Sequence, residues 1–282
     1  MKRIQVLLLL AILLLTYNVQ AQKYSIGIKG GLAIPNLKAG GSNSPLSEGY
    51  SSRLGGTAGF YVERHFSPTF SLSAGLEYCS EGGKKDGFQA LPSDEITKHF
   101  PTDLQPLAAQ FPTYLYADYQ NKAKLNYAML PVLARFGWNF TKTSPLRFYM
   151  AVGPFAGLLI KATQETTKTG PLYFDQAGQQ KAYDVLLGAL MQQGISQEQA
   201  AGILNALPLN SLPSAKTDID ADTHNFNVGI LGFIGFSYKF GSSSIFLEGG
   251  GNFGFLKIQK NAVDGQNRIG AGVVTLGYSY SF

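Results

Sequence analysis

Gly272-Val273-Val274-Thr275-Leu276-Gly277-Tyr278-Ser279-Tyr280-Ser281-Phe282 closes the chain. Its even positions carry Val274, Leu276, Tyr278, Tyr280 and Phe282, whereas Thr275, Gly277, Ser279 and Ser281 fill most of the odd ones. Period-two alternation is the signature of a strand with one apolar face and one small or polar face. A strand whose apolar face ends in aromatics suits lipid on that side and a packed polar lumen on the other.

The same alternation recurs in seven further stretches. Tyr24–Ile34 sets Tyr24, Ile26, Ile28, Leu32 and Ile34 against Ser25, Gly27, Lys29 and Gly31. Arg53–Phe66 and Phe70–Ser80 follow, joined by the turn Ser67-Pro68-Thr69. Lys124–Phe140 and Leu146–Ala162 flank Thr141–Pro145, and Asn225–Phe240 and Ser244–Ile258 flank Gly241–Ser243. Short turns therefore alternate with longer segments at about 35–52, 81–123, 163–224 and 259–267. Barrels of the bacterial outer membrane show this asymmetry, with short periplasmic turns and long external loops. The strand ends beside the short turns carry Phe66, Phe70, Trp138, Phe140, Tyr238 and Phe240, a girdle at one interface; Tyr78 and Tyr127 are candidates for the opposite one. A soluble sandwich does not account for the girdle, the loop asymmetry and an export signal together.

That signal occupies residues 1–21. Lys2 and Arg3 precede the apolar run Val6–Leu15, and Val19-Gln20-Ala21 reads as a cleavage site. The run is shorter than the roughly 20 residues of a membrane helix. The domain reading is a signal peptide at 1–21 and one β-barrel domain at 22–282. Net charge is +5 for the whole chain and +3 without Lys2 and Arg3 (21 basic minus 18 acidic). With no basic run, this excludes a nucleic-acid partner. Cys79 is the single cysteine, so no intrachain disulfide forms. The fold expected is all-β: an eight-stranded antiparallel transmembrane barrel with both termini periplasmic.

Three short stretches resemble one family. Gly27-Ile28-Lys29-Gly30-Gly31-Leu32, Tyr127-Ala128-Met129-Leu130-Pro131-Val132-Leu133 and Gly277-Tyr278-Ser279-Tyr280-Ser281-Phe282 are similar to the opening strand, an internal signature and the closing strand of the small outer-membrane β-barrels abundant in Bacteroidota, often labelled "porin family" or PorT-like. The resemblance implies an outer-membrane location, outer-membrane lipid as surroundings and, by analogy, membership of a secretion or uptake assembly. Tyr278, Tyr280 and Phe282 resemble the C-terminal signal that barrel-assembly machinery recognises.

Alternation points Lys29, Glu63, Glu77, Lys239 and Glu248 inward, with Arg135 beside them. Eight strands leave an interior just wide enough for side chains to fill. These charges therefore form either a paired plug or, where inward glycines such as Gly75, Gly229, Gly235, Gly250 and Gly254 leave room, a selective pore. Gly249–Gly254 matches G-x-G-x-x-G but lacks the following helix of a dinucleotide site. Asp218, Asp220 and Asp222 resemble the start of a Ca²⁺ loop whose later ligands are missing. His65, His99 and His224 are isolated, and no nucleophile–base pair is apparent, so neither enzyme chemistry, cofactor nor metal is expected.

The segment 163–224 reads as an external loop with two amphipathic helices within about 175–210. Tyr183, Leu186, Leu187, Leu190 and Met191 recur at helical spacing before Gly194, and Ser196–Gln199 opens a second run ended by Pro208. Their stripes must pack on each other, on the barrel mouth as a lid, or on a protein partner. Residues 81–123, with Pro92, Pro101, Pro106 and Pro112, read as irregular, with Phe111, Tyr114, Tyr116 and Tyr119 exposed for contacts. The functional expectation is a non-enzymatic barrel whose loops bind a partner or support the envelope; a small diffusion pore is the alternative.

Overall fold

The computed structural model describes residues 24–39, 45–98, 100–167, 170–211, 214–261 and 265–282. Residues 1–21, read from the sequence as an export signal, and His99 lie outside the described residues. Nine strands form: β1 (Tyr24–Ala39), β2 (Gly55–His65), β3 (Phe70–Pro92), β4 (Tyr114–Asn139), β5 (Leu146–Thr167), β6 (Ala215–Asp218), β7 (Phe226–Phe240), β8 (Ser243–Gly254) and β9 (Asn267–Ser281). Eight of them close a ring in the order β1-β2-β3-β4-β5-β7-β8-β9, every pair antiparallel. The closing stripe β9 pairs with β1, placing Tyr278 opposite Ile28 and Gly277 opposite Lys29. β6 pairs only with the upper end of β5 and stands outside the ring.

The alternation decides which residues meet lipid. Ile28 and Leu276 are 63% and 64% exposed, whereas Lys29, Glu77 and Glu248, on the opposite faces of their strands, are buried. Charges inside and aliphatic groups outside suit a hydrocarbon solvent, in which every backbone group must also be paired within the sheet. On β4 and the first residue past it the apolar outer face runs from Ala128 to Phe140. At about 3.3 Å per residue and roughly 40° of tilt it is about 30 Å tall, the height of the hydrocarbon core.

The short connections at 66–69, 140–145 and 241–242 lie at one end of the ring together with the start of β1 and the end of β9. At that end Phe66 stacks on Phe70, Trp138 on Phe148, and Phe140 on Phe236. Tyr78, Phe226 and Phe253 mark the opposite edge of the apolar band. Tyr127 does not belong there: it is fully buried in the lumen. Odd positions on β4 point inward, as Arg135, Leu133 and Met129 also do, so the girdle expected of Tyr127 is corrected by its parity.

The long connections depart most from the sequence reading. β3 and β4 continue beyond the apolar band as one hairpin, pairing Glu81–Pro92 with Tyr114–Leu125. Segment 81–123 is thus irregular only between its strands, where α1 (Asp94–Thr97) and α2 (Gln105–Ala108) are short helices. α3 (Ala182–Gln192) and α4 (Gln197–Asn205) form where the periodicity places them. Gly194, at φ +87°, ends α3: its N–H donates to Met191 O (3.0 Å), and Ile195 N–H donates to Leu190 O (3.2 Å). Ser196 caps α4 by accepting from Gln199 N–H.

Leu186 and Leu190 of α3 and Leu204 of α4 bury against Leu115 and Tyr119 of the hairpin and against Leu172 and Leu209. This is a second core, separate from the lumen. Tyr119 is buried in it, and Phe111 packs on it, rather than standing exposed for contacts.

Candidate functional site

Three layers fill the lumen between two open mouths. The layer nearest the short turns is ionic. Lys29 Nζ lies 2.7 Å from Glu77 and 3.1 Å from Glu248 Oε1. Arg135 pairs with Glu63 Oε2 at 3.1 Å and with Glu248 Oε2 at 3.0 Å. Five strands, β1, β2, β3, β4 and β8, supply these groups, so the network ties across the ring. Two cations face three carboxylates, and hydroxyl donors offset the excess charge: Tyr149 donates to Glu248 Oε2 (3.0 Å), Thr275 to Glu248 Oε1 (3.3 Å) and Ser71 to Glu63. The Arg135 guanidinium lies between the rings of Tyr61 and Tyr149, at 4.9 and 5.0 Å, and Lys29 stands 4.6 Å from the centre of Phe233. Pairing, hydrogen bonds and ring faces together are what a buried charge set requires.

Of the inward charges read from the sequence, Lys29, Glu63, Glu77, Arg135 and Glu248 meet in this layer. Lys239 does not. It has the inward parity but stands exposed at the mouth beside the short turns. Alternation fixes the face of the sheet, and only the register fixes the height in the barrel.

Towards the long connections lies an apolar layer of Tyr127, Met129, Leu133, Phe155, Leu231, Phe233 and Ile269, all buried. The inward glycines do not leave an open path, because large neighbours occupy the space their side chains vacate. A Cβ at Gly277 would stand 2.1 Å from the Phe246 ring, at Gly229 2.5 Å from Phe155, and at Gly235 2.7 Å from Tyr149. Of the glycines read as leaving room, Gly229 and Gly235 thus have that room taken by neighbouring rings.

Above it, Glu81 is fully buried, accepting from Asn252 Nδ2 (2.7 Å) and the Cys79 thiol (3.2 Å). Arg53 donates to Ser80 Oγ (2.7 Å) and to the Glu81 carbonyl. This group was missed from sequence because β3 was expected to stop at Ser80; continuing the alternation by one step points Glu81 inward.

The outer mouth holds a cavity of about 890 Å³ between the β3–β4 hairpin and the other long connections. Leu37, Leu125 and Ile258 supply apolar walls, and Tyr50, Lys85, Gln89 and Asn121 supply polar groups. Lys85 Nζ donates to Pro45 O (3.1 Å) and stands 5.2 Å from the Tyr50 ring centre. Burial pushes the Tyr50 hydroxyl up to about 12 and draws the Lys85 ammonium below its ordinary value.

Asp218 and Asp220 line the same side but form no cation site. Lys161 Nζ pairs with both, and Asp220 also accepts from Ala162 N–H. Among the described residues no three carboxylate, imidazole or thiol groups converge on one point. Of the weak Ca²⁺ candidate Asp218, Asp220 and Asp222, the first two are taken up by the Lys161 ammonium.

The opposite mouth opens into a vestibule of about 750 Å³ above Arg135, Tyr61 and Tyr149. His65 is not isolated here. Its Nε2 lies 2.9 Å from Ser25 Oγ, and its Nδ1 lies 3.8 Å from Glu63 Oε1. This pair is not visible in the sequence, since Ser25 and His65 meet only through the β1–β2 pairing. It lacks the build of a nucleophile and base: 3.8 Å exceeds a hydrogen bond, Glu63 is held by Arg135 and Ser71, and Ser25, 3% exposed, shares its hydroxyl with Ser281 at 2.9 Å. Arg147 in the same vestibule was also missed, though it lies two residues before inward Tyr149.

Similar solved structures include Neisserial surface protein A (10% identity, covering 94% of this chain and 100% of that one, TM-score 0.37). Ail, the attachment invasion locus protein of Yersinia pestis, is 9% identical over 92% of this chain and 99% of that one, with a TM-score of 0.32. The outer membrane protease OmpT of Escherichia coli is 8% identical over 95% and 100%, with a TM-score of 0.39. No curated protein sequence matches the chain. Residues 20–260 match the family model described as an outer membrane protein beta-barrel domain, and with its closed ring of eight strands the chain belongs to that family of outer-membrane barrels.

Proposed function

We propose that the protein is a non-enzymatic barrel of the outer membrane whose lumen is closed and whose folded outer connections bind a partner molecule at the cell surface. The short turns and both ends of the ring face the periplasm in this reading, and Tyr278, Tyr280 and Phe282 engage the assembly machinery during insertion. The observation that carries it is the division of the chain's packing. One core fills the lumen with an apolar layer above an ionic one, and a second core builds a rigid outer body with a cavity at its base. A pore needs a continuous water path, and Tyr127, Phe155 and Phe233 stand across it. Binding needs a concave site with apolar walls and a few polar groups, which the outer mouth supplies.

Planar-bilayer recording tests the closed lumen: the full chain is expected to give no steady openings, and steady openings would favour the diffusion pore. The outer site is tested by screening soluble glycans and peptides against the protein in nanodiscs by thermal shift. Binding is expected to fall when Lys85 and Asn121 are replaced by alanine. Ligands that bind wild type and this double variant equally would place recognition elsewhere.

A further inference from the structure

The vestibule at the short-turn mouth has a charge imbalance that the closed-lumen reading does not use. Arg135, Arg147, Lys142 and Lys239 line it, and among the described residues Glu63 is the one carboxylate side chain that faces it. Glu63 is already committed to Arg135 and Ser71. Arg135 is held by both Glu63 and Glu248, which leaves Arg147 as the guanidinium of the vestibule with no ion pair among the described residues. Serine hydroxyls complete the lining at Ser25, Ser237, Ser244 and Ser281.

Arg147 is the central group. On β5 it lies between Asn139 of β4 and Ser237 of β7. Its guanidinium lies flat against Gly137: a Cβ there would stand 2.2 Å from Nε and 2.6 Å from Nη2. No carboxylate of the described residues lies within ion-pair distance of it, and its enclosed Nε has no hydrogen-bond partner. Arg135, more than nine-tenths buried at the floor, also keeps an unpartnered Nε while Glu63 and Glu248 hold its other nitrogens. An arginine that lines a concave cup with no carboxylate in reach is completed by an anion from solution.

We propose that this vestibule binds a phosphate or a small phosphate ester, with Arg147 as its principal ligand and Lys142 at the rim. A guanidinium fork with a nearby ammonium group and hydroxyl donors is the donor set that a tetrahedral oxyanion uses. The volume exceeds that of one phosphate, which leaves room for an attached sugar or short chain. The ligand comes from the aqueous phase, because the vestibule opens along the barrel axis and the strand wall separates it from lipid headgroups. The site stands apart from the outer mouth, so its failure leaves the proposed function untouched.

Isothermal titration of the full chain with inorganic pyrophosphate, in phosphatidylcholine nanodiscs at low salt, tests this. Saturable one-to-one binding is expected, weakened about tenfold or more in Arg147→Gln and strongly by 0.5 M salt. Lys142→Gln, in an exposed turn, gives a smaller loss and serves if Arg147→Gln does not fold, which heat-modifiable gel migration reports. A second arm adds phosphatidylglycerol to the nanodiscs: unchanged affinity supports a soluble source, and competition by the lipid overturns it. Absence of saturable binding, or equal affinity in wild type and both variants, overturns the site.

Discussion

Glu248 is the side chain on which the ionic layer converges. Both oxygens are engaged by cations, and two hydroxyls donate to it. Glu248→Ala leaves Lys29 and Arg135 short of a partner in a dry interior, and is expected to destabilise the barrel by roughly 3–5 kcal/mol. Reversible urea unfolding in lipid vesicles measures it, and a loss below 1 kcal/mol would contradict a cooperative network. Gly277→Val tests the interlock of glycine and ring, since the new side chain must displace Phe246. A loss of about 1–3 kcal/mol is expected from overpacking. At this scale parity made Lys29, Glu63, Glu77 and Glu248 legible, because strand alternation is a local property. Tyr127, Lys239 and the Ser25–His65 contact were not, because each depends on register or height, which long-range pairing sets.

At the scale of elements, α3 and α4 were readable from periodicity and caps, and the β3–β4 extension was not. The reason is physical. Within the membrane one face of a strand must be apolar, and above it Lys84, Asp86, Gln120 and Lys122 meet water, so the alternation in hydropathy fades while the pairing continues. Gly194→Val forces a branched residue into a left-handed conformation and is expected to cost about 1–2 kcal/mol locally. Hydrogen exchange in 182–195 should quicken with that in the membrane strands unchanged. The β5–β6 pair offers a pH test. Asp218 is held below the ordinary aspartate value by the hydrogen bond from Lys161. A carboxyl with a depressed folded value contributes stability above its unfolded value and loses it as pH falls through the folded one. Protection factors at Ala215–Asp218, which remove the intrinsic pH dependence of exchange, are therefore expected to fall as pH drops below about 4 and to stay constant between pH 6 and 8. Lys161→Gln should remove the step.

For the whole molecule, barrel class, strand number and loop asymmetry followed from repetition of one pattern across the chain. The outer body did not, because its core joins residues from 91 to 209 that no local pattern connects. The two cores share no buried residue, so replacing 175–210 with a short Gly/Ser linker is expected to leave heat-modifiable migration intact. Limited proteolysis should then cut within 93–113, where Ile96, Phe100 and Leu107 lose their cover. Protection of that segment in the deletion variant would refute the shared core.

The β1–β9 seam also bears on timing. It joins residues 24–39 to residues 267–281, with Phe282 N–H donating to Tyr24 O at 2.9 Å. Contacts this distant in sequence form last, since the loop entropy between them is the greatest the chain can lose. Lys29 reaches Glu248 only across β9. Until the final strand arrives, Lys29 has Glu77 but not Glu248 as its partner, and the first strand keeps an open hydrogen-bonding edge. A half-made barrel remains wet and pairing-competent at that edge until the β1–β9 ladder closes it.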